Sequence, residues 1–156
     1  MYNNKVQWYK IVNVDKFIAP IDEHMKSHNK EKGEVLAKSR LELKAFRYFD
    51  ANPDVRKWSL EPFHIKYISP KDNKYHRYFP DNYVEFSNGA KFLVEIKSYS
   101  ETIPPKKPSK ITKKSEYNYR KALLTYSINQ AKWESAISFC NKNDMRFIVL
   151  TEKELS

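Results

Sequence analysis

The chain has 156 residues, with 29 Lys and Arg against 19 Asp and Glu, a formal charge of +10. Domains run to about 100–150 residues, so the length predicts a single domain over residues 1–156. An aromatic fraction of 15% excludes a disordered polar chain, and no apolar run reaches membrane-span length. The polar N-terminus has no apolar stretch of a signal peptide, so we expect no membrane partner. A single cysteine, Cys140, excludes an intrachain disulfide and fits a reducing compartment.

Residues 1–34 read as an N-terminal arm. Val6, Trp8, Ile11, Val12 and Val14 are weakly periodic, and residues 22–32 suit a polar helix. The segment SRLELKAFRYFD, Ser39 to Asp50, is the first clear helix. Ser39 is an N-cap, Glu42 stands at the capping-box position, and Asn52-Pro53 ends it. Ala45, Phe46 and Phe49 form the apolar stripe, and Glu42 projects from the same side.

The pattern then changes to period two. Phe63, Ile65 and Tyr67 alternate with His64 and Lys66, predicting a strand. A turn over 69–74 leads to one long extended stretch, Tyr75 to Phe86. Ser87-Asn88-Gly89 is a hairpin turn, and Lys91 to Lys97 is a third strand of central character. Residues 102–114 are rich in proline and lysine and predict a mobile basic loop. A long helix follows over 115–141, with Tyr119, Leu123, Tyr126, Gln130, Trp133, Ile137 and Cys140 along one stripe. Phe147 to Leu150 reads as a strand buried on both faces. The order helix, three strands, helix, strand is that of an α/β fold, a mixed sheet flanked by helices with a parallel crossover at its end.

Three carboxylates sit where packing would not choose a charge. Glu42 is on an apolar helix face, Asp81 lies within an aromatic extended stretch, and Glu95 stands between Val94 and Ile96. Lys97 falls on the same strand face as Glu95. Buried charge is costly unless paired or metal-bound, and clustered carboxylates invite a divalent cation. Oxygen donors suit Mg²⁺, which predicts phosphodiester hydrolysis with Lys97 acting on the water or the phosphoryl oxygens. Between Pro104 and Lys121 there are seven cations, Lys106, Lys107, Lys110, Lys113, Lys114, Arg120 and Lys121, against one anion, Glu116. Such a patch points to backbone contact with DNA. Glu42 also fits a plain capping box, Asp81 a turn, and Gln130 a core hydrogen bond. His24 and His28 read as a solvated face, His64 as a surface residue and Cys140 as core.

Pro80-Asp81 followed by Glu95-Ile96-Lys97 resembles the PD-(D/E)xK motif of restriction-endonuclease-like nucleases, over residues 39–150. The resemblance implies that core, with Glu42, Asp81, Glu95, Lys97 and Gln130 as catalytic residues. It also implies Asp81, Glu95, Ile96 and Glu42 as the ligands of Mg²⁺, with Mn²⁺ as a substitute. More narrowly, SRLELKAFRYFD, EPFHIKY, RYFPDNYVEF and FLVEIKS resemble the head-completion nucleases of T-even-type tailed phages. Similar blocks occur in nuclease subunits that cut transposon ends. Asn82 departs from the pattern, where an apolar residue is expected. This resemblance implies a DNA endonuclease, with exonuclease action also in range, working on packaged DNA in the host cytoplasm and with phage head or neck proteins as partners. It leaves room for a homo-oligomer and for a virion-associated protein. The alternatives are a non-catalytic DNA-binding connector on the same fold and a transposition nuclease subunit.

Overall fold

The computed structural model describes residues 10–13 and 34–155; the expected polar helix over 22–32 lies outside them. Strand β1 (Lys10–Asn13) pairs antiparallel with β2 (Glu34–Ala37). Helix α1 (Arg40–Ala51) follows, capped by the Ser39 hydroxyl accepting from the Glu42 N–H at 3.1 Å. Then come β3 (Val55–Leu60), β4 (Ile65–Ser69), β5 (Lys74–Tyr78), β6 (Asn82–Phe86) and β7 (Lys91–Ile96). Helix α2 (Lys113–Lys142), β8 (Arg146–Leu150) and the short α3 (Glu152–Leu155) complete the order.

The central sheet runs β3-β6-β7-β8, antiparallel through β7 and parallel between β7 and β8. Helix, three strands, helix, strand therefore describes this sheet, but the first strand is not the one expected. The strand predicted around Ile65 is β4, which among the described residues pairs only with β5, in a separate ribbon inserted between β3 and β6. The true first strand, β3, has a register shift between Val55 and Lys57. A bulge puts an extra residue in one strand, so Val55 and Trp58 face one side three positions apart and the period-two signal is lost.

The extended stretch 75–86 divides in the same way. Pro80 cannot donate to a ladder, so β5 stops before it and Asp81 stands at the threshold of β6, not within a strand. Asn82 is fully buried, and its side-chain amide donates to the Ser59 carbonyl at 3.1 Å. An apolar residue could not make that tie between the end of β3 and the start of β6.

Side chains alternate across the sheet and feed two cores. Val84, Val94 and Ile96 meet Phe46, Phe49, Trp58 and Leu60 on the α1 side. Tyr83 and Leu93 meet Trp133, Ala136, Cys140 and the inner face of the ribbon on the α2 side. Trp58 is clasped by Phe46 and Phe49, with ring centroids at 5.2 and 5.7 Å. Truncating an aromatic in such a place costs about 3–5 kcal/mol.

Helix α2 starts at Lys113, where Thr112 and Ser115 make a reciprocal capping box. Its buried residues are Asn129, Trp133, Ala136 and Cys140, and Ile137 is exposed. The expected stripe has a strict seven-residue repeat. At about 100° per residue, Asn129, Trp133, Ala136 and Cys140 fall within about 60° of one another, and Ile137 lies about 40° beyond Trp133, off that narrow contact face. Strand β8 is half-buried at the sheet edge, not buried on both faces, because among the described residues β7 is its sole partner in the sheet.

Candidate active site

At the end of β7 the sheet opens into a cleft of about 460 Å³ lined by Lys38, Glu42, Glu61, Asp81, Ile96, Lys97, Ser98 and Glu101, among others. Asp81 is placed from both sides of the sheet. Its carbonyl accepts from the Glu61 N–H at 2.8 Å, and its Oδ2 accepts from the Ile96 N–H at 2.7 Å. The Lys97 N–H donates to the Leu150 carbonyl at 3.0 Å, so the β7–β8 ladder runs one residue past Ile96 and fixes the Lys97 backbone.

Burial raises the Asp81 carboxyl well above its ordinary value of 3.8; the charge of Glu95, a hydrogen bond with Glu95 and the charge of Glu42 add to the rise, against the Ile96 N–H. Asp81 and Glu95 therefore form a close carboxyl pair. Glu95 is buried behind Asp81 and does not line the cleft itself. Trp133 Nε1 donates to Glu95 Oε2 at 3.4 Å, and Lys97 Nζ lies 4.0 Å from the same oxygen. Tyr78, at the base of the ribbon, sits beside Glu95; burial first, then the Glu95 and Asp81 charges, hold its hydroxyl protonated.

The Glu42 N–H donates to the Ser39 cap, and the Glu42 side chain also lines the cleft. Its carboxylate turns to the cleft, where burial raises its pKa against the Lys38 charge, the Lys38 N–H and the Ser39 hydroxyl, and Glu61 adds to the rise. Of the residues expected at the site, Glu42, Asp81, Ile96 and Lys97 line the cleft and Glu95 backs it. Gln130 is half-buried on α2 and does not line the cleft; the α2 side chain that reaches the cluster is Trp133.

Glu61 and Glu101 are carboxylates of the cleft that sequence reasoning missed. Glu61 carries φ 39, uncommon for a residue with a side chain, at the exit from β3. The neighbouring Glu61-Pro62 is the one hint the sequence offers. Glu101 accepts from the Ser98 hydroxyl at 2.7 Å and also lines an adjoining groove with Pro105, Lys121, Tyr126 and Asn129. The cleft thus continues into the basic segment. Lys106, Lys107, Lys110, Lys113, Lys114, Arg120 and Lys121 are all exposed, and Arg120 bonds Glu116 at 2.7 Å.

Residues 52–152 match the family described as TnsA-like endonuclease N terminal. Over 121 residues the chain is 34% identical to the head completion nuclease of Enterobacteria phage T4, covering 78% of this chain and 81% of the relative. The family match contains Asp81, Glu95, Lys97 and Trp133, while Glu42 comes from the helix before it. With the mixed sheet and its flanking helices, these matches show that the chain belongs to the TnsA-like endonuclease family of restriction-endonuclease-like nucleases.

Proposed function

We propose that this chain is a metal-dependent DNA endonuclease of a tailed phage, acting on packaged DNA at head completion, before head and tail join. The observation that supports the chemistry best is the Asp81–Glu95 pair, Asp81 lining the cleft and Glu95 packed behind it, with Lys97 4.0 Å from Glu95. The phage setting follows from the relative's name and the 34% identity over most of both chains.

The donor set fits a hard cation. Asp81, Glu42, Glu61 and Glu101 bring carboxylate oxygens to the cleft, and neither Cys nor His lines it. Among the described residues no three acidic, His or Cys side chains converge as a closed cage. Mg²⁺ keeps several waters and needs only one or two carboxylates plus substrate oxygens. Asp81 and Glu95 would hold it, with the Ile96 backbone and Glu42 at the rim. When bound, Mg²⁺ or Mn²⁺ would polarise the scissile phosphate and lower the pKa of a water.

The protein's own groups do the rest. The Ile96 N–H fixes one Asp81 oxygen and so holds the carboxyl where it lines the cleft. Lys97 carries a compact ammonium to the attacking water or a phosphoryl oxygen, and Glu95 limits its swing. Trp133 and Tyr78 close the far side of Glu95 and keep bulk water from it. The basic segment beyond Glu101 holds the DNA backbone without reading sequence. Phage head or neck proteins, met in the host cytoplasm during assembly, are the partners this reading implies. The test is incubation of purified protein with supercoiled and linear DNA, with Mg²⁺ and with chelator. Nicking or linearisation that needs the metal is the expected result, and trimming of linear ends would add exonuclease action. Intact plasmid under all conditions, from folded protein, would overturn the reading.

A further inference from the structure

The β4–β5 ribbon has an outer face that packing does not explain. Its inner face is anchored: Ile65, Tyr67 and Tyr78 lie in the α2-side core, and Lys132 Nζ sits 5.8 and 5.9 Å from the Tyr67 and Tyr78 ring centroids. The outer face has two cross-strand pairs. Lys66 stands opposite Arg77, and Ile68 stands opposite Tyr75. Like charges directly opposed destabilise a ribbon, and neither Lys66 nor Arg77 has an ion-pair partner among the described residues. Ile68 and Tyr75 are 48% and 72% exposed. Lys71 and Lys74 add charge at the tip, where the acidic residue, Asp72, is engaged by His76 at 2.8 Å.

The ribbon is also wired to the cleft. It is inserted between Glu61 and Asp81, whose backbones bond to each other at 2.8 Å, and its last residue, Tyr78, sits beside Glu95. Five paired residues give it a length of about 17 Å. The major groove of duplex DNA is about 12 Å wide and admits a two-stranded ribbon.

We infer that the β4–β5 ribbon is a second DNA-contacting element, laid in the major groove of duplex DNA with Lys66 and Arg77 toward its polyanionic walls and base edges and Ile68 and Tyr75 against the thymine methyl groups it presents. This rests on the nuclease reading and extends it. The substrate is gripped on the ribbon side of the cleft by groove contact, and on the Lys106–Lys121 side by backbone contact alone. The ligand dissolves the like-charge conflict that the free ribbon retains.

The test uses the full chain in chelator, so that DNA stays whole, with a duplex of roughly 20 base pairs, about two helical turns. Binding is followed by fluorescence anisotropy over a salt series, and dimethyl sulfate methylation reads major-groove guanine N7. For the double variant Lys66→Gln, Arg77→Gln we expect about tenfold weaker binding, a salt slope lower by about 1.8 and no N7 protection. Lys66→Glu supplies a folding control, because Glu opposite Arg77 makes a favourable pair. Its melting temperature should hold or rise by up to about 3 °C while DNA binding falls. Unchanged affinity and slope in the double variant, or N7 protection absent from the native complex or retained in the variant, would overturn the ribbon and leave the nuclease reading standing. A native chain that neither binds the duplex nor cuts plasmid with Mg²⁺ would remove both.

Discussion

Two charged regions of this chain follow opposite rules. At the end of β7, half-buried Glu42 and Asp81 line the cleft in front of the buried Glu95, and burial raises the Asp81 and Glu42 carboxyls above their ordinary values. From Lys106 to Lys121 the cations stand in solvent, with no buried residue in the loop or in the first half of α2. Charge in the first region is held against its own repulsion by backbone N–H groups and packed rings, an arrangement useful for acting on one bond. Charge in the second is spread over exposed side chains and acts by attraction. If that contrast is right, the acidic end decides rate and the basic end decides affinity.

The largest expected effect is therefore at the acidic end. Asp81→Asn keeps the acceptor for the Ile96 N–H but loses the charge, whereas Asp81→Ala would orphan that donor. With either Asp81→Asn or Glu95→Gln, plasmid cleavage should fall by at least about a thousandfold while DNA affinity moves little. Near-native cleavage by either folded variant would break the comparison. Lys97 comes next. Arg keeps the charge but not the compact ammonium, so Lys97→Met should be inactive and Lys97→Arg should lose about a hundredfold. A single-turnover assay at saturating DNA separates this from a binding defect, and a Lys97→Met protein cutting at the native rate would remove Lys97 from the chemistry.

These residues were legible because they break a pattern. Glu95 interrupts an apolar strand, Glu42 an apolar helix face and Asp81 an aromatic run. Glu85 shows what such a signal misses. It too is buried in the sheet, yet Lys57 and Arg56 stand at 3.4 and 3.8 Å from its Oε2 and neutralise it at a distance from the cleft. What separates Asp81 from Glu85 is the partner brought by folding, another carboxylate in one case and cations in the other. Glu61, Glu101 and Trp133 were invisible for the same reason, since tertiary packing alone delivers them to the cleft. In the fold, α1, β7, the 87–89 turn and α2 follow from caps, alternation and Gly89 at φ 90. Strand β3 was hidden by its bulge, and the break at Pro80 by the aromatics on either side.

A smaller effect tests the basic side. Replacing Lys106, Lys107, Lys110, Lys113 and Lys114 by Gln should weaken DNA binding and lower the slope of log K against log salt by about 0.9 for each phosphate no longer neutralised. The melting temperature should barely move, since all five are exposed. Cleavage at saturating DNA should stay near native. An unchanged slope would leave the segment a surface for a protein partner.

The smallest effect is on stability, and its sign follows from Asp81. The folded carboxyl binds its proton more tightly than the unfolded one, so ionisation opposes folding. Without metal, the Asp81 contribution is fully present below the ordinary value of 3.8 and is lost as pH rises through the raised folded value. Glu42, also raised, acts in the same direction. A divalent cation competes with that proton and favours the ionised pair. Added Mg²⁺ should therefore raise the melting temperature more at about pH 8 than at about pH 5, the stabilisation at pH 8 reaching about 2.7 kcal/mol at a hundredfold excess over Kd. Asp81→Asn, neutral at every pH and a poor ligand, should abolish the Mg²⁺ shift and shrink the pH trend to the part Glu42 contributes, and should melt higher than the native chain in metal-free buffer near pH 8. A Mg²⁺ shift of equal size at both pH values, or one that survives in Asp81→Asn, would move the cation away from this pair and toward the other carboxylates of the cleft, Glu61 and Glu101.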